Sequence, residues 1–164
     1  MADEAPPFDA AVPASRLALP RMRHVPGTGS APDWLPLEQA KQLVPTITQE
    51  AEWADNGAYV HGFALMRGGY FWEAHEVWEP VWLACPPNGR ARLLLRALIQ
   101  AANAHLKREM NRPRAVVRLA REARQVLAEL HAADGEAFMG VIVSRLSVDL
   151  CNLENESGDA IVPR

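Results

Sequence analysis

The chain has 164 residues, 49% of them hydrophobic and 23% charged, with a formal net charge of −3. These totals fit one domain with a real core and name no partner. Two distant cysteines, Cys85 and Cys151, with no C-x-x-C pair, argue against a disulfide scaffold or a Cys-based zinc site. The N-terminus lacks the apolar core of a signal peptide, and no stretch reaches the ~18 apolar residues of a membrane span. A cytoplasmic protein with no membrane association is expected. Charge is unevenly placed. Arg90 to Arg124 holds ten Lys/Arg against Glu109 and Glu122, whereas Glu129 to Asp159 holds seven acids against Arg145 alone. Such segments can face each other in the fold.

Residues 1–36 hold seven of the thirteen prolines, which fix φ and remove donors. They predict an irregular, extended N-terminal arm, mobile over its first dozen residues, with His24 to Trp34 lying against the body. Residues 37–153 read as a single helical domain and 154–164 as a polar, frayed tail. Pro36 to Val44 suits a short helical turn. Pro45 suits a first helical position, and a longer helix is predicted from Thr46 to Met66, with Ile47, Ala51, Ala54, Ala58, His61 and Leu65 inward. Gly68-Gly69 ends it.

The next helix begins at Tyr70, with Pro80 inside it and a kink expected there. Cys85-Pro86-Pro87-Asn88-Gly89 is a loop. Ala91 to Met110 forms a helix with Leu94, Leu98, Ala101 and His105 on one stripe and Leu93, Ala97, Gln100 and Ala104 on the next. Asn111-Arg112 breaks the chain and Pro113 starts another helix, running to His131. Val116, Leu119, Ala123 and Leu127 face inward there; Arg114, Arg118 and Arg121 form the opposite stripe. Asp134-Gly135 is a turn, and a last helix from Glu136 uses Phe138, Val141, Ile142 and Leu146. The fold class is all-α, a compact bundle of four to six helices.

Rare residues crowd into Gly69-Tyr70-Phe71-Trp72-Glu73-Ala74-His75-Glu76-Val77-Trp78-Glu79-Pro80-Val81-Trp82, which holds three of the five Trp and three carboxylates within seven positions. At 100° per residue Phe71, His75, Trp78, Glu79 and Trp82 share one face, Glu76 sits near its edge, and Glu73 points away to solvent or an Arg. His75 and Glu79, at i and i+4, match the spacing by which one helix offers two metal ligands. His75-Glu76-x-x-Glu79 departs from H-E-x-x-H at its last residue, so the metalloprotease reading fails. A divalent metal would need a third donor, with His61 and His105 the candidates. A second reading is acid/base or hydrolytic chemistry, with Glu79 orienting His75 and Gln100 polarising a carbonyl. A third is a small-ligand pocket lined by Phe71, Glu76, Trp78 and Trp82. The alternative to all three is a structural or protein-interaction module in which His75, Glu79 and Gln100 form a buried hydrogen-bond network without catalysis.

The stretch just quoted, followed by Leu98-Ile99-Gln100-Ala101-Ala102, resembles the family called domain of unknown function 309 (DUF309). The resemblance runs roughly from Tyr59 to Leu130. It implies a compact helical domain with His75, Glu76, Glu79, Trp82 and Gln100 as signature positions, and it brings no activity with it. Ala97 replaces the family's usual Gly. Arg23-His24-Val25-Pro26-Gly27 is similar to an aromatic-x-Pro-Gly lead-in. The family's Pro-His-Pro corresponds to Ser30-Ala31-Pro32, so a His ligand from it is absent. The expected partners are a small molecule or a metal; nucleic acid is disfavoured because aromatics are not interleaved with the arginines. A homodimer is compatible with the sequence.

Overall fold

The computed structural model describes residues 6–161. Among them are six α-helices: α1 (Trp34–Lys41), α2 (Gly57–Arg67), α3 (Phe71–Leu83), α4 (Arg90–Glu109), α5 (Pro113–Ala128) and α6 (Val143–Asp159), with a 3-10 segment at Glu50–Asp55. The all-α expectation holds. Each helix from α2 to α5 packs on its successor, and α1 lies across α3 and α2. No helix among the described residues is long and apolar enough to cross a membrane.

Asn56 divides what reads as one long helix from Thr46. Its backbone is extended and its Oδ1 accepts from the Tyr59 N–H at 3.0 Å, the preferred arrangement for an Asn N-cap. The inward face assigned to Ile47, Ala51 and Ala54 is therefore wrong: all three are exposed. The segment before the cap is held instead by Thr48, whose Oγ1 donates to the Val81 carbonyl at 2.8 Å and whose N–H donates to that of Ala84 at 2.9 Å.

α2 and α3 meet through one close contact. The indole of Trp78 lies on the bare backbone of Gly62, and its Nε1–H donates to the Tyr59 carbonyl at 3.0 Å. Around it Tyr59, Phe63 and Trp78 form edge-to-face pairs with centroids 5.0 Å apart, a favoured geometry for buried rings. α3 then runs through Pro80 to Leu83 unbroken. The proline ring removes the bond that the Glu76 carbonyl would accept, and the residues on either side of it are helical.

The last helix starts later than Glu136. Ala137–Phe138 (β1) pairs antiparallel with Val141–Ile142 (β2). Met139 and Gly140 between them both have positive φ, 48° and 79°, as a two-residue type I′ turn requires. A Cβ at Gly140 would sit 2.6 Å from the Trp53 ring. Tyr59 Oη donates to the Met139 carbonyl at 2.8 Å, so the hairpin is pinned to the core. Phe138, Val141 and Ile142 thus belong to this hairpin and not to a helix. α6 runs from Val143 past Leu153 to Asp159, so the expected frayed tail is helical over most of its length; residues 162–164 lie outside the described ones.

The arm is more ordered than its prolines suggest. The expected mobility of the first dozen residues cannot be placed for residues 1–5, which lie outside the described chain. Over residues 6–12 it is wrong: Asp9 and Val12 are buried, Arg67 Nε donates to Asp9 Oδ2 at 2.6 Å, and the Ile142 N–H donates to the Phe8 carbonyl at 2.7 Å. The oppositely charged segments do meet: Arg121 and Arg124 of α5 both bond Glu154 of α6, at 2.8 Å.

Gly62→Ala places a methyl 2.0 Å from Trp78 Nε1. The indole must move and lose its hydrogen bond, so a destabilisation of about 2–4 kcal/mol is expected in urea unfolding. Gly158→Ala, where a Cβ meets nothing within 4 Å, should leave the midpoint unchanged or raise it. Equal effects of the two changes would overturn this account of the α2–α3 contact.

Candidate functional site

α3 splits the polar residues of the central stretch between inside and outside. Glu73, expected at the surface, is fully buried beside Ala74, Val77, Trp78 and Val81. Its Oε1 accepts from the His24 N–H at 2.6 Å, and its Oε2 is buried with no protein partner. His24 lies edge-on to Trp72, centroids 4.6 Å apart, and Trp34 of α1 meets the same ring at 5.9 Å. Glu73 therefore holds the arm against the bundle. Burial pushes its carboxyl above the usual range, more than the hydrogen bond from His24 pulls it down.

His75, Glu76 and Glu79 take the outer face. His75 Nδ1 lies 3.4 Å from Glu76 Oε1, and Lys41 Nζ of α1 lies 3.4 Å from Glu76 Oε2. All three side chains are about three-quarters buried, while Glu79 is exposed. Trp78, assigned to the same face as His75, is instead in the core. Arg92 stacks on Trp82, its guanidinium carbon 4.2 Å from the ring centroid, and donates to the Trp82 and Cys85 carbonyls.

Gln100 of α4 is half-buried. Its Nε2 donates to Glu122 of α5 at 3.2 Å. Arg92, which reaches α3, is eight residues away on α4, roughly 80° around the helix. Among the described residues no hydrogen bond joins any two of His75, Glu79 and Gln100, and Glu79 is exposed. Trp82 Nε1 and Gln100 Oε1 remain buried without a protein partner.

Among the described residues no group of three or more His, Cys, Asp or Glu is placed to hold a metal ion. The third donor that a site at His75 and Glu79 requires does not appear. His61 is buried in α2 with its Nδ1 2.8 Å from Ser15 Oγ. His105 lies at the far end of α4, against Phe71.

That end carries a cleft. The Phe71 and His105 rings stack with centroids 4.9 Å apart and planes 19° from parallel. Beside them a cleft of about 420 Å³ opens between α3, α4, α6 and the arm, within the usual range for small-molecule sites. Its apolar walls include Phe8, Met66, Ala101, Leu150 and Leu153. The titratable groups on it are Asp9, Arg67, His105, Arg108, Asp149 and Glu156. Arg108 Nη2 is 3.3 Å from His105 Nδ1. A guanidinium can only donate, so Nδ1 accepts and the neutral ring carries its proton on Nε2. Burial, reinforced by the Arg108 charge, lowers the His105 pKa to about 4. Burial raises the carboxyl of Asp149, against the pull of Arg145 and with a push from Asp9. Among the sequence candidates Phe71 and His105 line this cleft. His105 enters the sequence reading as a candidate third metal donor and as a polar residue on an apolar stripe, while nothing there signals Arg108 or Asp149.

The two perturbed groups act oppositely on stability. His105 binds its proton less readily in the folded state than in the unfolded one, so its contribution is present above pH ~6.5 and is lost as pH falls toward 4, by up to ~3 kcal/mol. Glu73 holds its proton more readily when folded, so its contribution declines as pH rises through its titration. Two results are expected. The His105 ring titrates near pH 4 by NMR, and His105→Gln weakens the loss of stability between pH 6.5 and 4. Glu73→Gln, which keeps an acceptor for His24, stabilises the protein at pH 8 and leaves it unchanged at pH 4. An ordinary imidazole titration, or a Glu73→Gln effect independent of pH, would contradict these assignments.

No curated protein and no solved structure matches this chain. The match that is found runs from Tyr59 in α2 to Leu119 in α5 and so includes the Gly62–Trp78 contact, the whole of α3 and the Phe71–His105 stack. Residues 59–119 match the family model described as Domain of unknown function (DUF309).

Proposed function

We propose that this helical domain binds a small molecule in the cleft beside the Phe71–His105 stack. The single observation that carries the reading is the combination in one place of a 420 Å³ cleft with mostly apolar walls and a histidine pushed down to about 4. Apolar enclosure supplies area and a few placed polar groups supply orientation, while strongly perturbed titratable groups concentrate at working sites. His105, Arg108 and Asp149 provide donors and an acceptor around that enclosure. Phe71 stacks on His105 at the wall of the cleft.

A second reading rests on a different observation. Trp82 Nε1 and Gln100 Oε1, both signature positions, are buried without protein partners, and His75 shares a partly open surface with Glu76 and Lys41. On this reading the outer face of α3 performs acid/base chemistry, with His75 exchanging the proton and Glu76 or Glu79 steadying the imidazolium. Gln100 would act on a separate group of the ligand, from the α5 side of α4.

The two readings separate in one experiment. Asn152 is an exposed residue of α6 on the rim of the cleft, so Asn152→Trp closes the cleft without disturbing the core. In a fragment screen followed by amide NMR, bound fragments are expected to shift Phe71, Ala101 and Leu150, and Asn152→Trp is expected to weaken them at least tenfold at unchanged melting temperature. Shifts confined to His75, Glu76 and Trp82, unaffected by Asn152→Trp and abolished by His75→Gln, would replace the cleft reading with the second.

A further inference from the structure

The charges around the cleft are not equivalent, and their pairing points to a ligand class. This step rests on the cleft being the binding site. Asp9 is occupied: Arg67 Nε holds its Oδ2 at 2.6 Å and Arg67 Nη2 holds its backbone carbonyl at 3.0 Å. Asp149 faces Arg145 one turn away at 3.6 Å, and Glu156 is an exposed rim residue. Arg108 differs. Among the described residues its side chain has His105 Nδ1 as its hydrogen-bond partner and no carboxylate within ion-pair distance. It is the cation on the cleft whose charge the protein leaves uncompensated.

His105 adds to it. With Nδ1 accepting from Arg108, the remaining ring nitrogen is a donor. Two donors, one of them charged, therefore stand on successive turns of α4 at the edge of an apolar floor made by Ala101, Leu150 and Leu153. The same pair offers no acceptor, since a guanidinium has none and the acceptor nitrogen of the imidazole is already used. We infer that the cleft takes an organic carboxylate with a compact apolar body, its carboxylate against Arg108 and His105 and its body against the α4–α6 floor. A charge-assisted, partly desolvated contact of this kind is stronger than a neutral hydrogen bond and distinguishes an acid from its alcohol by about tenfold or more in affinity.

Three probes of one shape test this: 2-naphthoate, 2-naphthalenemethanol and 2-naphthylmethylamine, titrated into the full chain at pH 7.5 and followed by amide NMR. The expected order is naphthoate about tenfold tighter than the alcohol, with the amine weakest. Arg108→Gln, at an exposed position, should remove that advantage and leave the alcohol's affinity unchanged. Bound naphthoate should also raise the pH at which the His105 ring titrates, which a purely structural role for Arg108 would not produce. If the alcohol binds in the cleft as well as the acid does, the carboxylate class is wrong and the cleft reading survives. If the amine binds tightest, Asp149 and Glu156 dominate and the inference is overturned. If none of the three shifts Phe71, Ala101 or Leu150, the cleft reading falls with it.

Discussion

The contact of the Trp78 indole with the backbone at Gly62 is the constraint on which the rest of the molecule depends. A helix pair normally meets through side chains on both partners, about 8–10 Å apart at the axes. Here one partner contributes no side chain, so the largest residue of α3 can lie directly on α2. The indole N–H reaches the Tyr59 carbonyl, and a buried tryptophan needs such a partner. With Trp78 fixed, the rotation of α3 is fixed too. Glu73 must then enter the interior, His75, Glu76 and Glu79 must leave it, and Phe71 must face the far end of α4. Tyr59 extends the constraint. Its ring packs on Phe63 and Trp53, and its hydroxyl holds the Met139 carbonyl. The order of α2 and α3 is thereby transmitted to the hairpin and to the start of α6.

Much of the bundle is legible in the residues because its signals are local. Pro113 and the pattern from Val116 to Leu127 mark the start of α5 and place its end three residues late, and the apolar stripe of Leu94, Leu98 and Ala101 marks α4. Two misreadings have a common physical cause. Ile47, Ala51 and Ala54 continue the period of α2 upstream, and Phe138, Val141 and Ile142 continue that of α6 upstream. In each case a turn competes with the apolar period and wins: the Asn56 cap in one, the Met139-Gly140 turn in the other. The second turn gains from distant partners, since Met139 receives the Tyr59 hydroxyl and Gly140 the Trp53 ring. Periodicity along the chain contains no trace of either. The arm shows the same limit, as prolines forbid a helix there but do not forbid Asp9 from finding Arg67.

The candidate site is less legible for a geometrical reason. A helical wheel fixes which residues of one helix share a face, but it does not say which way that face turns. Phe71, His75, Trp78 and Trp82 lie within a broad arc, and Trp78 at its edge was assumed to carry the rest inward. The Gly62 contact pulls Trp78 in at an angle that leaves His75 and Glu79 outside. Glu73, one position from Trp72 and two from His75, is turned toward the core and the arm, where it accepts the His24 N–H.

The cleft combines residues of different origin. Phe71, Ala101, His105 and Arg108 fall within the segment that matches the family model, whereas Phe8, Asp9, Leu150 and Asp149 come from the arm and from α6, beyond it. The matched segment alone would present the stacked rings and Arg108 on an open face. Enclosure comes from the flanks, and each flank is tied down by its own polar contact: the arm through Asp9 to Arg67 and His24 to Glu73, α6 through Glu154 to Arg121 and Arg124. That enclosure keeps water from the His105 ring, whereas Arg108 stays exposed on the rim. Loosening the arm would therefore reach the cleft without touching it. The Phe8 wall would withdraw, water would reach His105, and its titration would move back toward the ordinary range. Recognition at α4 and order in the proline-rich arm are two aspects of one packing arrangement, set in place by an indole resting on a glycine.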